Sequence, residues 1–193
     1  MGRQTHIGYH NCRDEGGYDY LREHVPFLSG NGDNQWLTQG YYFWTDDIYW
    51  AKRWNPGKKV TISKFTITFH EDNELLDLVG NVSQIFEFQD MREKVAEKLN
   101  IRDVSKVTVS QVIAFFRKLN EQTEFSGIFP YLAVKAQDTA LPHNGSFPKM
   151  KFVSYRSESL CLATRQQMCV FAQAKDRIDF SCFMFPEEYT EQE

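Results

Sequence analysis

The chain has 193 residues, 41% of them hydrophobic and 25% charged, a balance that suits one globular domain. A formal net charge of −4 excludes a broad electrostatic grip on duplex nucleic acid, which needs clustered Lys and Arg, and leaves room for a local basic patch. No apolar run approaches the roughly 18–20 residues of a membrane span, no signal pattern opens the chain, and Cys12, Cys161, Cys169 and Cys182 form no CxxC pair, so the sequence reads as soluble and cytoplasmic, in a reducing compartment and away from membranes.

Ile7 to His10 reads as a short strand, and residues 11–35 as a polar, glycine-rich loop with a short helix over Tyr18–His24. Leu37 to Phe43 reads as a turn feeding a strand. Thr45 is a candidate N-cap, with Asp46 and Asp47 at the positive end of a helix whose face is Ile48, Ala51 and Trp54; Asn55-Pro56-Gly57 stops it. Val60 to Phe69 alternates as a strand, and its change of parity at Ser63-Lys64 predicts a β-bulge there. Residues 83–99 read as a helix with Ile85, Phe88, Met91, Val95 and Leu99 on one face, and Thr108-x-x-Gln111 as a capping box for a helix through Leu119. Residues 121–149, with Pro130, Pro142, Gly145 and Pro148, read as loop. Strands are expected at Lys151–Tyr155, Ser159–Ala163, Gln167–Phe171 and 180–185, before an acidic, frayed tail, Glu187–Glu193. This order predicts an α+β fold with two antiparallel groups packed together.

Aromatic residues make up 15% of the chain, more than a core of this size needs, and many fall in three segments with a shared chemical logic. The first is Gly8-Tyr9-His10-Asn11. The second runs from Trp36 to Trp44 and contains Gly40-Tyr41-Tyr42-Phe43. The third is Arg165 to Phe171, in which Gln167 opens the apolar strand Met168-Cys169-Val170-Phe171. Tyr and Trp faces stack a flat cation such as nicotinamide, for a cation–π contribution of about 0.5–2 kcal/mol. A glycine beside the stack lets backbone approach the ligand's carboxamide.

Taken together, these segments resemble the ADP-ribosyltransferase superfamily, in its diphtheria-toxin-like branch that includes the poly(ADP-ribose) polymerases. That branch has a His on the first strand, a Tyr in a Gly-x-Tyr-Phe strand and a Glu opening a late strand. His10 matches the His, Tyr42 the Tyr, and Gln167 falls at the Glu position. The bacterial pattern Tyr-His-Gly-Cys with Trp-Leu-Gly-x-Gly-x-Tyr-Phe-Trp is closer still, and the chain departs from it at Asn11 and Thr38, each where Gly is usual. The resemblance implies an ADP-ribosyltransferase-like split β-sandwich with peripheral helices, one domain over 1–186 with a helical and loop insertion at about 81–149, and an acidic tail over 187–193. It implies NAD as co-substrate without a metal, with Gln167, Tyr42 and His10 as catalytic residues. Tyr9, His10, Asn11, Gly40, Tyr41, Tyr42 and Trp54 would bind the dinucleotide, His10 and Tyr42 holding its two ends.

Glutamine at the Glu position can orient a ribose hydroxyl but supplies neither full negative charge nor a base. The resemblance therefore implies mono-ADP-ribosyl transfer to a macromolecular acceptor, protein or nucleic acid, as in a bacterial toxin or phage-defence effector with an inhibitory, antitoxin-like partner. The alternative is a non-catalytic NAD or ADP-ribose-binding module. Blander readings stand beside each residue: His10 as a satisfied structural histidine, the aromatics of 41–44 as core, Gln167 as an ordinary polar strand opener. Glu158 is a rival carboxylate, read as a solvent-facing turn residue. His6, His24, His70 and His143 show no ligand spacing.

Overall fold

The computed structural model of the chain describes residues 2–32, 35–138, 149–161 and 164–192. The loop expected at Pro142, Gly145 and Pro148, residues Asp33, Asn34 and His143, the strand end at Ala163 and the final Glu193 lie outside the described residues.

Chain order is β1 (Gln4–Arg13), α1 (Gly17–His24), β2 (Tyr41–Thr45), α2 (Tyr49–Arg53), β3 (Val60–Phe69), β4 (Leu75–Asp77), α3 (Val82–Lys98) and α4 (Val109–Asn120). There follow β5 (Ala133–Asp138), β6 (Lys149–Lys151), β7 (Ser159–Cys161), β8 (Arg165–Val170), β9 (Ile178–Phe185) and α5 (Glu187–Thr190). The fold is α+β: a seven-stranded mixed sheet in the order β4-β5-β8-β2-β1-β3-β9, plus a two-stranded β6–β7 hairpin. Only the β4–β5 pair is parallel among the described strand pairs.

Alternation along the strands sends side chains to two cores. Leu76, Val134 and Cys169 occupy one register line, and Tyr42 extends it; this face packs beneath Phe88, Met91 and Val95 of α3 and Ile113 and Phe116 of α4. Leu75, Ala133, Val170 and Tyr41 form the adjacent line on the opposite face, with Phe43, Phe65, Ile67, Leu21 of α1 and Phe183. The capping box at Thr108 and Gln111 is present, with Thr108 Oγ1 accepting from Gln111 N and Gln111 Oε1 from Thr108 N.

Several expectations are corrected. Residues 121–149 are not all loop: Ala133–Asp138 is a strand in the main sheet. Between Val82 and Asp138 the chain supplies β5 to the main sheet and α3 and α4, which cover one face. Thr45 caps nothing; it ends β2 with its side chain buried, and Asp47 Oδ1 accepts from Tyr49 N at the helix start. β3 pairs with β1 without interruption, and the register shifts opposite Ser63 and Lys64 arise because β9 carries the extra residues. Parity alone could not say which strand was longer.

The acidic tail is docked, not frayed. Tyr189 of α5 is buried against Phe183 and Tyr18, and its hydroxyl donates to Asp14 Oδ1 at 2.8 Å. Asp14 also meets Lys59 Nζ at 2.6 Å. Tyr189→Ala should lower stability by about 3 kcal/mol through the cavity it leaves, while Tyr189→Phe should lose only about 1 kcal/mol with the hydrogen bond. Urea unfolding measures both; two variants as stable as the wild type would show a tail that contributes nothing.

Candidate functional site

The site begins where two neighbouring strands part. β1 and β2 are registered only at Gly8 with Thr45 and Tyr9 with Trp44. Beyond Tyr9, β1 stays with β3 as far as Arg13, while β2 stays with β8 from Trp44 to Tyr41. The sheet opens between them.

His10 fills the opening. Its ring is buried among Phe27, Phe43 and Phe65. Nδ1 lies 2.9 Å from the Tyr42 carbonyl oxygen, and Nε2 lies 3.2 Å from the Phe27 backbone nitrogen. A carbonyl can only accept and an N–H can only donate, so the ring must carry its proton on Nδ1 and accept at Nε2. Burial pushes its pKa below the ordinary value, with the Tyr42 carbonyl opposing in part. His10 and Tyr42 therefore sit side by side across the split and do not mark two distant ends of a ligand. A ribose hydroxyl can reach Nε2 only if the Phe27 backbone releases it.

Tyr42 holds the next segment. Its hydroxyl accepts from Leu37 N at 2.9 Å and donates to the Thr38 carbonyl at 2.7 Å, which leaves the ring to the site. Burial raises the pKa of this phenol well above its usual value, so it stays protonated. Thr38, where the bacterial pattern has Gly, adopts φ 69, a left-handed conformation costly for a β-branched residue. Arg117 of α4 anchors it, donating to Thr38 Oγ1 at 2.8 Å while its guanidinium lies over the Phe171 ring. Gly40 serves packing: a Cβ there would lie 2.4 Å from Cys169 Sγ and 2.6 Å from the Val170 carbonyl oxygen. Its N–H and C=O are both taken by Ser29, so they are not offered to a ligand carboxamide.

Above this frame lies a cleft of about 320 Å³ that brings together His10, Asn11, Tyr42, Trp54 and Gln167. Gln167 pairs with Trp44 across β2–β8, so its side chain shares a face with Trp44 and Tyr42. It is 7% exposed, yet its carboxamide makes no hydrogen bond to any described residue. The carboxamide is not sealed in protein but opens to the cleft that Gln167 lines. Asn11 donates Nδ2–H to the Ala51 carbonyl at 2.9 Å and keeps its Oδ1 buried without a partner. Trp54, just past the end of α2, tilts over Trp44 at 5.5 Å and remains 43% exposed. No Asp, Glu, Lys or Arg appears among the described residues lining the cleft.

Gly40 does not line the cleft, and two further expected contacts are not brought in. Tyr41 is buried in the core on the opposite face, beneath Lys175, because it alternates with Tyr42. Tyr9 packs beside Trp44, Ala51 and Ile62 and does not line the cleft. Glu158 is exposed in the β6–β7 turn and does not line it either. Residues that sequence reasoning missed are Phe27, Trp36 and Trp44. Trp44 had a signal: it lies two residues after Tyr42 on one strand and must share its face. Phe27 had none, since it sits in a loop. Trp36 is braced by Arg165, whose guanidinium lies 5.3 Å from the indole and is paired with Asp138.

The chain matches no protein-family model, no curated protein and no solved structure. Among the described residues, no group of three or more His, Cys, Asp and Glu side chains could hold a metal, and no helix is long and apolar enough to cross a membrane.

The environment of His10 sets a pH dependence. The fold favours the neutral ring, because protonation would set an Nε2–H against the Phe27 N–H. With the folded pKa below the ordinary 6.5, this stabilisation is complete above 6.5 and is lost as pH falls through the folded value. Urea unfolding at about pH 7.5 and about pH 5 should show a larger loss for the wild type than for His10→Gln. Equal losses would mean that His10 titrates alike in the folded and unfolded chains.

Proposed function

We propose that this protein is a mono-ADP-ribosyltransferase that binds NAD in the cleft between β1 and β2 and transfers ADP-ribose to a macromolecular acceptor. The observation that carries this reading is the convergence of His10, Tyr42 and Gln167. The family resemblance singles them out in sequence, and they meet in one indole-walled cleft. The ADP-ribosyltransferase-like split sandwich is the corresponding reading of the fold, supported by a seven-stranded sheet that parts beside His10.

On this reading Trp54 and the ring of Tyr42 bracket nicotinamide, and Asn11 and Gln167 offer it and its ribose neutral hydrogen-bonding groups. The rest of the dinucleotide runs past Phe27 into a neighbouring depression, which shares Cys12 and Phe27 with the cleft. The bond from the anomeric carbon to the nicotinamide nitrogen breaks, nicotinamide leaves with the bonding pair, and the acceptor's nucleophile bonds to that carbon and sheds its proton. Gln167 orients the ribose. A cleft without a lining carboxylate stabilises positive charge by dipoles only, which suits a single transfer. A toxin or defence role in the cytoplasm, with a neutralising partner protein, belongs to the same proposal.

The missing carboxylate also favours a second reading, a module that holds NAD or ADP-ribose without turnover. Calorimetry and nicotinamide release separate the two. Trp54→Ala should weaken NAD binding about 2- to 30-fold, the loss of a stacking face, without disturbing the fold because the ring is half exposed. Gln167→Ala should slow nicotinamide release by about 10–1000-fold with a much smaller effect on binding. Gln167→Glu should raise hydrolysis of NAD by water. Saturable binding with no release by the wild type or by either Gln167 variant would establish the module; a wild type that does not bind NAD would end both readings.

A further inference from the structure

Two exposed segments, one ending in the cleft residue Trp54 and one preceding the strand of Gln167, combine cations with aromatic rings. The first runs from α2 into the following turn. Residues 49–59 hold four cations, Lys52, Arg53, Lys58 and Lys59, and no carboxylate, in a chain whose net charge is −4. Residues 52–59 are all exposed, and Trp54, between the two cation pairs, also lines the cleft. The second is the β6–β7 hairpin. Residues 149–161 hold Lys149, Lys151 and Arg156 against the single carboxylate Glu158. Its aromatic rings are turned outward: Phe152 is 68% and Tyr155 81% exposed.

Both segments connect to residues of the site: α2 runs into Trp54, and the hairpin leads into β8, which carries Gln167. Trp50 Nε1–H donates to the Thr164 carbonyl at 3.2 Å, which ties α2 to the chain leading from the hairpin into β8. Gln167 lies six positions after Cys161, so the base of the hairpin lies within about 22 Å of Gln167. Exposed rings of this size, with so little packing of their own, are a cost to solubility unless a partner stacks on them. A partner that wants both a planar face and a positive charge at repeated intervals is a polyanion with unstacked bases. Duplex nucleic acid keeps its bases buried from Phe152 and Tyr155, and an acidic peptide satisfies the cations but leaves the rings unmatched.

We propose that the α2 turn and the β6–β7 hairpin form a binding surface for a single-stranded polynucleotide, with bases stacked on Phe152 and Tyr155 and phosphates on Lys52, Arg53, Lys149 and Lys151. On the transferase reading this strand is the acceptor, delivered to Gln167. The two ideas are separable, because binding is measured without NAD.

The test is fluorescence anisotropy with labelled single-stranded RNA and single-stranded DNA of about 20 nucleotides, a blunt duplex of the same sequence, and poly-glutamate. The wild type should bind one or both single strands, more weakly as salt rises, and should bind the duplex and poly-glutamate at least tenfold less tightly. Comparison of the two single-stranded arms identifies the sugar. Phe152→Ala with Tyr155→Ala should weaken binding about tenfold or more, as should Lys52→Glu with Arg53→Glu, while Lys94→Glu with Lys98→Glu on the exposed side of α3 should not. Phe152→Leu with Tyr155→Leu keeps apolar bulk without ring stacking and should behave like the alanine pair, which separates stacking from local folding. No binding of either single strand, poly-glutamate or duplex bound as tightly as a single strand, or hairpin variants that bind like the wild type would each overturn the proposal.

Discussion

One ring, buried in the gap between two strands, governs this molecule. Where β1 leaves β2 after Tyr9, the backbone of both strands loses a ladder partner, and buried peptide groups left unpaired are costly. The imidazole of His10 makes good part of the loss. Nδ1 satisfies the Tyr42 carbonyl on one side and Nε2 satisfies the Phe27 N–H on the other. A neutral histidine is the side chain that offers one donor and one acceptor in a rigid ring of this size. The opening survives as a cleft because it is bridged at depth and not closed.

Everything above the bridge follows from what β2 must do beside it. Tyr42 has its carbonyl spent on His10 and its hydroxyl spent on the Leu37–Thr38 turn, so only its ring is presented. The turn accepts a left-handed Thr38 because Tyr42 and Arg117 both hold it. Trp36, Trp54 and Gln167 all line the resulting cleft, Gln167 from the sheet. Among the described residues, the lining of the cleft is largely aromatic and carries no Asp, Glu, Lys or Arg. Such a lining gains much from stacking and little from charge, which favours the capture of a flat heterocycle over strong electrostatic assistance to its departure.

How much of this was legible in the sequence depends on how local the deciding forces are. The helices over Val82–Lys98 and Val109–Asn120 follow from i, i+3, i+4 spacing and from a capping box that acts within one turn. β4 and β5 are short strands whose pairing is decided by distant partners, so no local pattern marked them. Tyr42 and Gln167 share the cleft because parity on paired strands fixes them together, and Tyr41 falls on the opposite face by the same rule. His10 lines the cleft, but its satisfied nitrogens depend on Phe27, a loop residue that no periodicity announces. Tyr189 was hidden for a similar reason, since four acidic residues around it, Glu187, Glu188, Glu191 and Glu193, mask one anchoring ring.

The central claim is that the cleft between β1 and β2 takes the nicotinamide end of NAD. The most direct measurement is nuclear magnetic resonance of the ¹⁵N-labelled protein, following the Gln167 side-chain amide and the Trp54 indole N–H during titration with NAD, each assigned from the spectra of Gln167→Glu and Trp54→Phe. Both signals should shift together and saturate with one binding constant. If NAD leaves both unmoved at concentrations that shift signals elsewhere, the dinucleotide binds at another place and the cleft is not its site.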